Sequence, residues 1–291
     1  MSAALLLETA EVSAVDVDSP LPAVASTEVT PPRPEMRQIY GRPEILIDRS
    51  THFCPGCGHG VVHRLLAEVL GDLGVAGRTI GIAPVGCAVF AYDYLAVDWV
   101  EAPHGRAPAV ATGVARVRPD AFVLTYQGDG DLAAIGTAEI VHAAARGERI
   151  TAIFVNNGVF GMTGGQMAPT TLLGQRTTSS PTGRDRLTMG SPIRITEMLA
   201  LLPGVAYAAR GSIADAASVG KTKAMIRRAC DAQLEGRGFA IVEVLSNCPV
   251  GWGMEPVASM AWLRDHVTPE YPLGVIVDRA KETPSPAEAN A

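Results

Sequence analysis

Aromatic residues are scarce: Phe, Trp and Tyr together make up 5% of the 291-residue chain. Cations are outnumbered, with 24 Lys and Arg against 30 Asp and Glu and a formal net charge of −6. No basic stripe is available to meet a phosphate backbone, which argues against nucleic-acid binding. No apolar run approaches the roughly 18 residues that span a bilayer. The opening MSAALLLETAEVSAVD has no basic n-region and turns acidic at once, a poor match to a secretory signal. These absences predict a cytoplasmic protein that engages neither nucleic acid nor membrane. Cysteine is also sparse, five in all. In the cytoplasm such residues act as thiols, metal ligands or catalytic groups more often than as disulfides.

Hydrophobic residues, at 47%, are ample for a core. Residues 1–36 carry six acids against Arg33 and end in TPPRPE, with no lasting amphipathic period. They read as a disordered or extended tail. One domain is expected over 37–275, followed by a second tail over 276–291. Val61, Val62, Leu65, Leu66, Val69, Leu70 and Leu73 recur at helical spacing. Further helices are expected over 105–119, 131–146, 193–202 and 215–236, and strands over 78–85, 121–127, 150–157, 205–209 and 238–245. Continuously apolar strands alternating with helices predict an α/β fold, a mostly parallel sheet with helices on both faces. No internal repeat is present.

The strongest motif lies at 126–166. A buried strand ends in Gly128-Asp129-Gly130, a helix follows, and a second buried strand ends in Asn156-Asn157. In a parallel sheet both strand ends reach the edge where open α/β folds bind ligands. The glycines let the backbone approach a diphosphate, and the helix start offers free N–H groups. A carboxylate and an amide oxygen there suit Mg²⁺. Cys54 and Cys57 stand three apart in CPGCGHG, Cys87 follows in PVGCAVF and Cys248 in SNCPVGWG. From spacing alone they are compatible with an iron–sulfur site, which takes four thiolates, with zinc, or with a redox dithiol. Cys230 sits within an expected helix and reads as a structural thiol.

Gly-Asp-Gly followed after 26 residues by Asn157 resembles the thiamine-diphosphate signature. FCPGCGHG, VGC, HGRAPAVATG, GDGD, NNGVFGMTGGQMAPTT and CPVGWGM together resemble the β subunit of the 2-oxoacid:ferredoxin oxidoreductases. The resemblance implies a thiamine-diphosphate-binding fold with Asp129, the Asn157 side chain and the Val159 carbonyl on Mg²⁺. It implies one [4Fe–4S] cluster on Cys54, Cys57, Cys87 and Cys248. Gly58, Gly86, Gly128, Gly130, Asp131 and Thr163 join the cofactor-binding set, with backbone N–H groups of Gly130 and Asp131 and the Thr163 hydroxyl meeting the diphosphate. His104 and Arg106, in HGRA, are the candidate catalytic pair. His59 and His63 are not expected to be ligands. The long loop 158–190 reads as a lid, with Arg176, Arg184 and Arg186 as candidate contacts to coenzyme A or a substrate carboxylate.

The implied reaction is oxidative decarboxylation of a 2-oxoacid with coenzyme A, giving acyl-CoA, CO₂ and reduced ferredoxin. 2-Oxoglutarate is the first expectation, a branched-chain 2-oxoacid or pyruvate the next. The glutamate that activates the cofactor is expected on a partner α subunit, since Glu139 lies mid-helix beside the diphosphate end; alone, the chain is expected to be inactive. Two other readings stay open. One is a non-oxidative thiamine-diphosphate-dependent decarboxylase or synthase subunit, with zinc or free cysteines. The other is a non-catalytic electron-transfer module.

Overall fold

The structure, a computed structural model, describes residues 40–279. The tail expected over 1–36 and residues 280–291 of the second tail lie outside the described residues. The chain divides after Gly41 into two units, and the fold is that of the second, from Arg42 onward.

Its elements run α1 (His59–Asp72), β1 (Thr79–Ala83), β2 (Asp98–Glu101), α2 (Ala107–Val117), β3 (Phe122–Gly128), α3 (Thr137–Ala145) and β4 (Thr151–Asn156). Then come β5 (Val159–Phe160), β6 (Gln166–Met167), α4 (Arg186–Met189), α5 (Ile195–Ala200), β7 (Val205–Ser212), α6 (Ala216–Leu234) and β8 (Phe239–Leu245). The chain closes with α7 (Pro249–Trp252), α8 (Pro256–Trp262), α9 (Thr268–Glu270) and β9 (Gly274–Asp278). Seven strands form one sheet in the order β2-β1-β3-β4-β8-β7-β9, parallel except where β9 runs antiparallel to β7. Strands β5 and β6 pair separately. No helix among the described residues is long and apolar enough to cross a membrane.

Side-chain alternation along the central strands supplies two cores. Leu124, Tyr126, Ile153, Val155, Val242 and Val244 cluster with Val62, Leu66 and Leu70 of α1 and Ile226 of α6. Val123, Ala152, Phe154 and Ile241 cluster with Ala111 of α2, Ile140 of α3 and Leu199 of α5. Each fully buried Leu, Ile or Phe contributes about 1.5–3 kcal/mol, so the two faces lock the central strands from both sides.

Three departures from the sequence reading bear on the site and the chain ends. The helix expected over 131–146 is broken: residues 130–135 wind as a π-helix, and α3 begins only after Gly136. A Cβ at Gly136 would lie 2.5 Å from the Gly105 carbonyl oxygen, so this turn is packed against the loop before α2. Strand β2 is an edge strand, largely exposed and polar, and so gave no apolar run. Strand β9 (Gly274–Asp278) runs past residue 276, where the second tail was expected to begin.

A buried ion pair secures the strand ends beside the site. Arg210 on β7 and Glu243 on β8 are each 1% exposed. The Arg210 Nε donates to Glu243 (2.8 Å), Thr196 donates to the same carboxylate (2.6 Å), and Asn156 Nδ2 donates to its other oxygen (2.7 Å). Removing one partner of such a pair costs about 3–5 kcal/mol. Arg210→Met is therefore expected to lower the denaturation midpoint sharply, and a midpoint equal to that of the parent would contradict this role.

Candidate cofactor site

The carboxyl ends of β1, β3, β4 and β8 open on one side of the sheet, as parallel pairing requires. The segments leaving β1, β3 and β4 line a cleft holding about 540 Å³ of empty space, its mouth included. Gly86, Cys87, His104, Gly128, Asp129, Gly130, Asp131, Asn157, Val159 and Thr163 line it. His59, Val85, Ala88, Phe160, Gly161 and Met162 line it too. Gly58, Arg106, Cys54, Cys57 and Cys248 stand outside its lining.

Asp129 is 2% exposed at the end of β3. Burial pushes its carboxyl up to about 6, against the counter-pull of the Thr170 hydroxyl and the Gly130 and Gly158 amides. Oδ1 accepts from Gly130 N (2.8 Å) and Oδ2 from Thr170 Oγ1 (2.6 Å). The Gly130 amide is thus engaged by Asp129, where the sequence assigned it to a diphosphate. A side chain at Gly130 would collide with the Phe160 ring, at 2.3 Å. Asn157 is 8% exposed, and its Oδ1 accepts from Val159 N (3.2 Å). The Trp252 indole N–H holds the Asn157 carbonyl at 2.9 Å.

Asp131 has a role that spacing could not reveal. Its carboxylate accepts from His104 Nδ1 (2.7 Å), Gly105 N (2.8 Å) and Val85 N (3.2 Å) through Oδ1, and from Gln127 Nε2 (2.6 Å) through Oδ2. The hydrogen on His104 therefore sits on Nδ1, leaving Nε2 as the other ring nitrogen on a side chain that lines the cleft. Arg106 is instead ion-paired to Glu139 on α3. Thr163 lines the cleft, but its hydroxyl is bonded to Gln166 Oε1 at 2.6 Å.

The cysteines come from three segments. Cys54 and Cys57 sit in a tight turn before α1, closed by Cys57 N donating to Cys54 O (3.0 Å). Cys87 follows β1 and Cys248 follows β8. A Cβ at Gly161 would lie 3.4 Å from both Cys87 Sγ and Cys248 Sγ, so the two sulfurs stand on the same side of the Phe160–Gly161 backbone. Burial pushes the Cys87 thiol up to about 11, with Cys57, Cys54 and Asp129 adding to the rise. Burial likewise pushes Cys248 up to about 12, opposed by a Gly251 amide and assisted by Cys57, Cys87 and Asp129. The Cys57 thiol is raised chiefly by burial. All five cysteines are free. Among the described residues no three His, Cys, Asp or Glu side chains are grouped as a single metal ion requires. Cys230 is fully buried on α6, away from this set.

His59 and His63 are buried, and burial lowers them to about 4 and about 3. Both are therefore neutral, and His59 Nδ1 meets the Tyr126 hydroxyl at 2.7 Å. In the loop 158–190, Arg184 is 7% exposed and donates to six backbone carbonyls, those of Ala168, Pro169, Thr171, Met189, Gly190 and Ser191. It staples the loop and is not available to a ligand, contrary to the sequence reading; the charge is held because every donor finds a carbonyl. Arg176 and Arg186 are exposed.

Residues 84–244 match the thiamine pyrophosphate enzyme family, C-terminal TPP-binding domain. The chain is 47% identical over 234 residues to ketoisovalerate oxidoreductase subunit VorA of Methanothermobacter thermautotrophicus, covering 80% of this chain and 49% of that one. It is 36% identical over 208 residues to 2-oxoglutarate synthase subunit KorB of Methanocaldococcus jannaschii, covering 71% and 73%. The chain thus spans about half the length of the ketoisovalerate oxidoreductase relatives. Its fold is similar to a 2-oxoglutarate:ferredoxin oxidoreductase of Magnetococcus marinus, with TM-score 0.64, 24% identity and coverage of 87% and 89%.

The raised Asp129 carboxyl has a measurable consequence. Its folded value, about 6, lies above its ordinary 3.8. It therefore favours the fold while protonated, and that contribution is lost as pH rises through about 6. Without divalent ions, Asp129→Asn is expected to melt above the parent at neutral pH, with the gap closing in acid. A lower melting temperature at neutral pH would contradict the buried, uncompensated charge.

Proposed function

The chain belongs to the thiamine pyrophosphate enzymes and, among them, to the 2-oxoacid:ferredoxin oxidoreductase subunits, and on that premise we propose that it carries the diphosphate-binding and electron-exit half of a coenzyme A-dependent oxidative 2-oxoacid decarboxylase. The observation that carries this reading is the nearness of the cysteine set to the cleft that holds Asp129, with Cys87 lining that cleft. The Asp129 charge bears on Cys87 and Cys248, and Gly161 lies against both sulfurs.

The donor set fits the cofactors. Asp129, Asn157 and the Val159 carbonyl would hold Mg²⁺, since a buried carboxylate lacking a cation is costly and an ion removes that cost. Cys54, Cys57, Cys87 and Cys248 would hold a [4Fe–4S] cluster that carries electrons towards ferredoxin. Burial raises the Cys57, Cys87 and Cys248 thiols, and iron would offset this by favouring thiolate. The grouping needed for a single zinc ion is not found among the described residues. When bound, thiamine diphosphate supplies the electron sink for decarboxylation. The chain's own residues do the rest. Asp131 orients His104 so that Nε2 is free to hold or pass a proton. The Gly130–Phe160 contact seats the backbone against the diphosphate end and limits water. Arg106 is engaged by Glu139 and is left out of the catalytic set. The activating glutamate and the rest of the substrate pocket come from a partner subunit.

A branched-chain 2-oxoacid is the proposed substrate, ahead of the 2-oxoglutarate expected from sequence. Identity is higher to the ketoisovalerate oxidoreductase subunit than to the 2-oxoglutarate synthase subunit. Among the described residues lining the cleft there is no Arg or Lys to meet a second carboxylate. The test is methyl-viologen reduction by the anaerobically purified complex across a 2-oxoacid panel with coenzyme A. Fastest reduction with ketoisovalerate is expected, and none by this chain alone. Cys57→Ser is expected to abolish viologen reduction while thiamine diphosphate still binds. CO₂ release without viologen reduction, together with zinc in place of iron, would overturn the oxidative reading.

A further inference from the structure

The Asp129 side chain has to keep one orientation if it is to meet a cation shared with a diphosphate. Its Oδ1 is tied by the Gly130 amide of its own turn. Its Oδ2 is tied by a residue 41 positions downstream, the Thr170 hydroxyl, at 2.6 Å. A threonine hydroxyl has one hydrogen to donate, and here the carboxylate receives it. Thr170 is 1% exposed and its neighbour Thr171 is fully buried. Thr171 Oγ1 donates to the Gly158 carbonyl at 2.5 Å and accepts from Ala168 N at 2.9 Å. Gly158 lies between Asn157 and Val159. The two adjacent threonines therefore grip both arms of the proposed cation site, one at the end of β3 and one just past β4.

The grip is itself anchored. Tyr271 donates its hydroxyl to the Thr170 carbonyl (2.8 Å), and its ring lies under the Arg210 guanidinium at 5.2 Å. Arg184 donates to the Thr171 carbonyl at 2.7 Å. The backbone of both threonines is thus held by buried supports, and it places the Thr170 hydroxyl against the carboxylate it touches.

The geometry points to Thr170 as a positioning residue for the cation site, setting the orientation of Asp129 through its hydroxyl. This rests on the proposed Mg²⁺–diphosphate reading of Asp129. Outer partners of this kind are worth about 10–100-fold in metal affinity. The test compares Thr170→Val, which keeps the shape and loses the hydroxyl, with Thr170→Ser, which keeps the hydroxyl. Mg²⁺-dependent thiamine diphosphate binding is measured by titration calorimetry on the full chain in its complex, alongside ligand-free melting. Thr170→Val is expected to weaken apparent Mg²⁺ affinity by about 10–100-fold, and Thr170→Ser to stay within about threefold of the parent. Excess Mg²⁺ is expected to restore thiamine diphosphate binding to Thr170→Val. Equal Mg²⁺ affinity in Thr170→Val and parent, even with lowered melting, would leave Thr170 a packing residue and overturn the inference. So would a Ser variant as weak as Val. If the parent binds no thiamine diphosphate, the cofactor reading falls, and this inference with it.

Discussion

Asp129 sits at the end of β3, 2% exposed, with burial lifting its carboxyl to about 6. The local structure is organised around keeping that group where it is. The Gly130 amide and the Thr170 hydroxyl occupy its two oxygens. Gly130 has no side chain because the Phe160 ring occupies that space. Behind Thr170 stand Tyr271, Arg210 and Glu243, a polar column inside the sheet that also tethers Asn156. Ionising a buried carboxylate costs stability, and that cost is the ground for proposing a cation at this position.

The cysteines follow the same logic from the other side of the cleft. Three segments deliver four thiols close enough that their charges oppose one another, and that of Asp129 opposes two of them. Burial makes Cys57, Cys87 and Cys248 hard to ionise alone, which is why a ligand that draws off negative charge is proposed there. Gly161 lies against Cys87 and Cys248 within the same loop that lines the cleft near Asp129. One short segment, Phe160–Gly161, thus runs from the cleft at Asp129 to Cys87 and Cys248.

Much of this was legible in the sequence because it depends on local signals. Strands β3, β4 and β8 are buried on both faces, so they read as largely apolar runs with few polar residues, Gln127 and Glu243 among them. Gly128-Asp129-Gly130 and Asn157 mark strand ends by residue type. Strand β2 was missed because an exposed polar edge leaves no apolar run, and α7, α8 and α9 are too short to show a helical period. The break at Gly136 depends on packing against Gly105, two loops away in sequence. Arg184 reads as a charge on a polar loop until its six carbonyl partners are seen. Thr170 and the Asp131 side chain act across 41 and 27 positions to Asp129 and His104. No periodicity or spacing rule reaches that far. PTT in the resemblance motif was the only pointer to Thr170.

The central claim is that Asp129 completes its environment with a diphosphate-bound cation. Pulsed electron paramagnetic resonance on the complex loaded with Mn²⁺ in place of Mg²⁺ tests it most directly. The account predicts phosphorus coupling to bound Mn²⁺ when thiamine diphosphate is present, and loss of that signal in Asp129→Ala. Bound Mn²⁺ without phosphorus coupling, or coupling undiminished in Asp129→Ala, would contradict it.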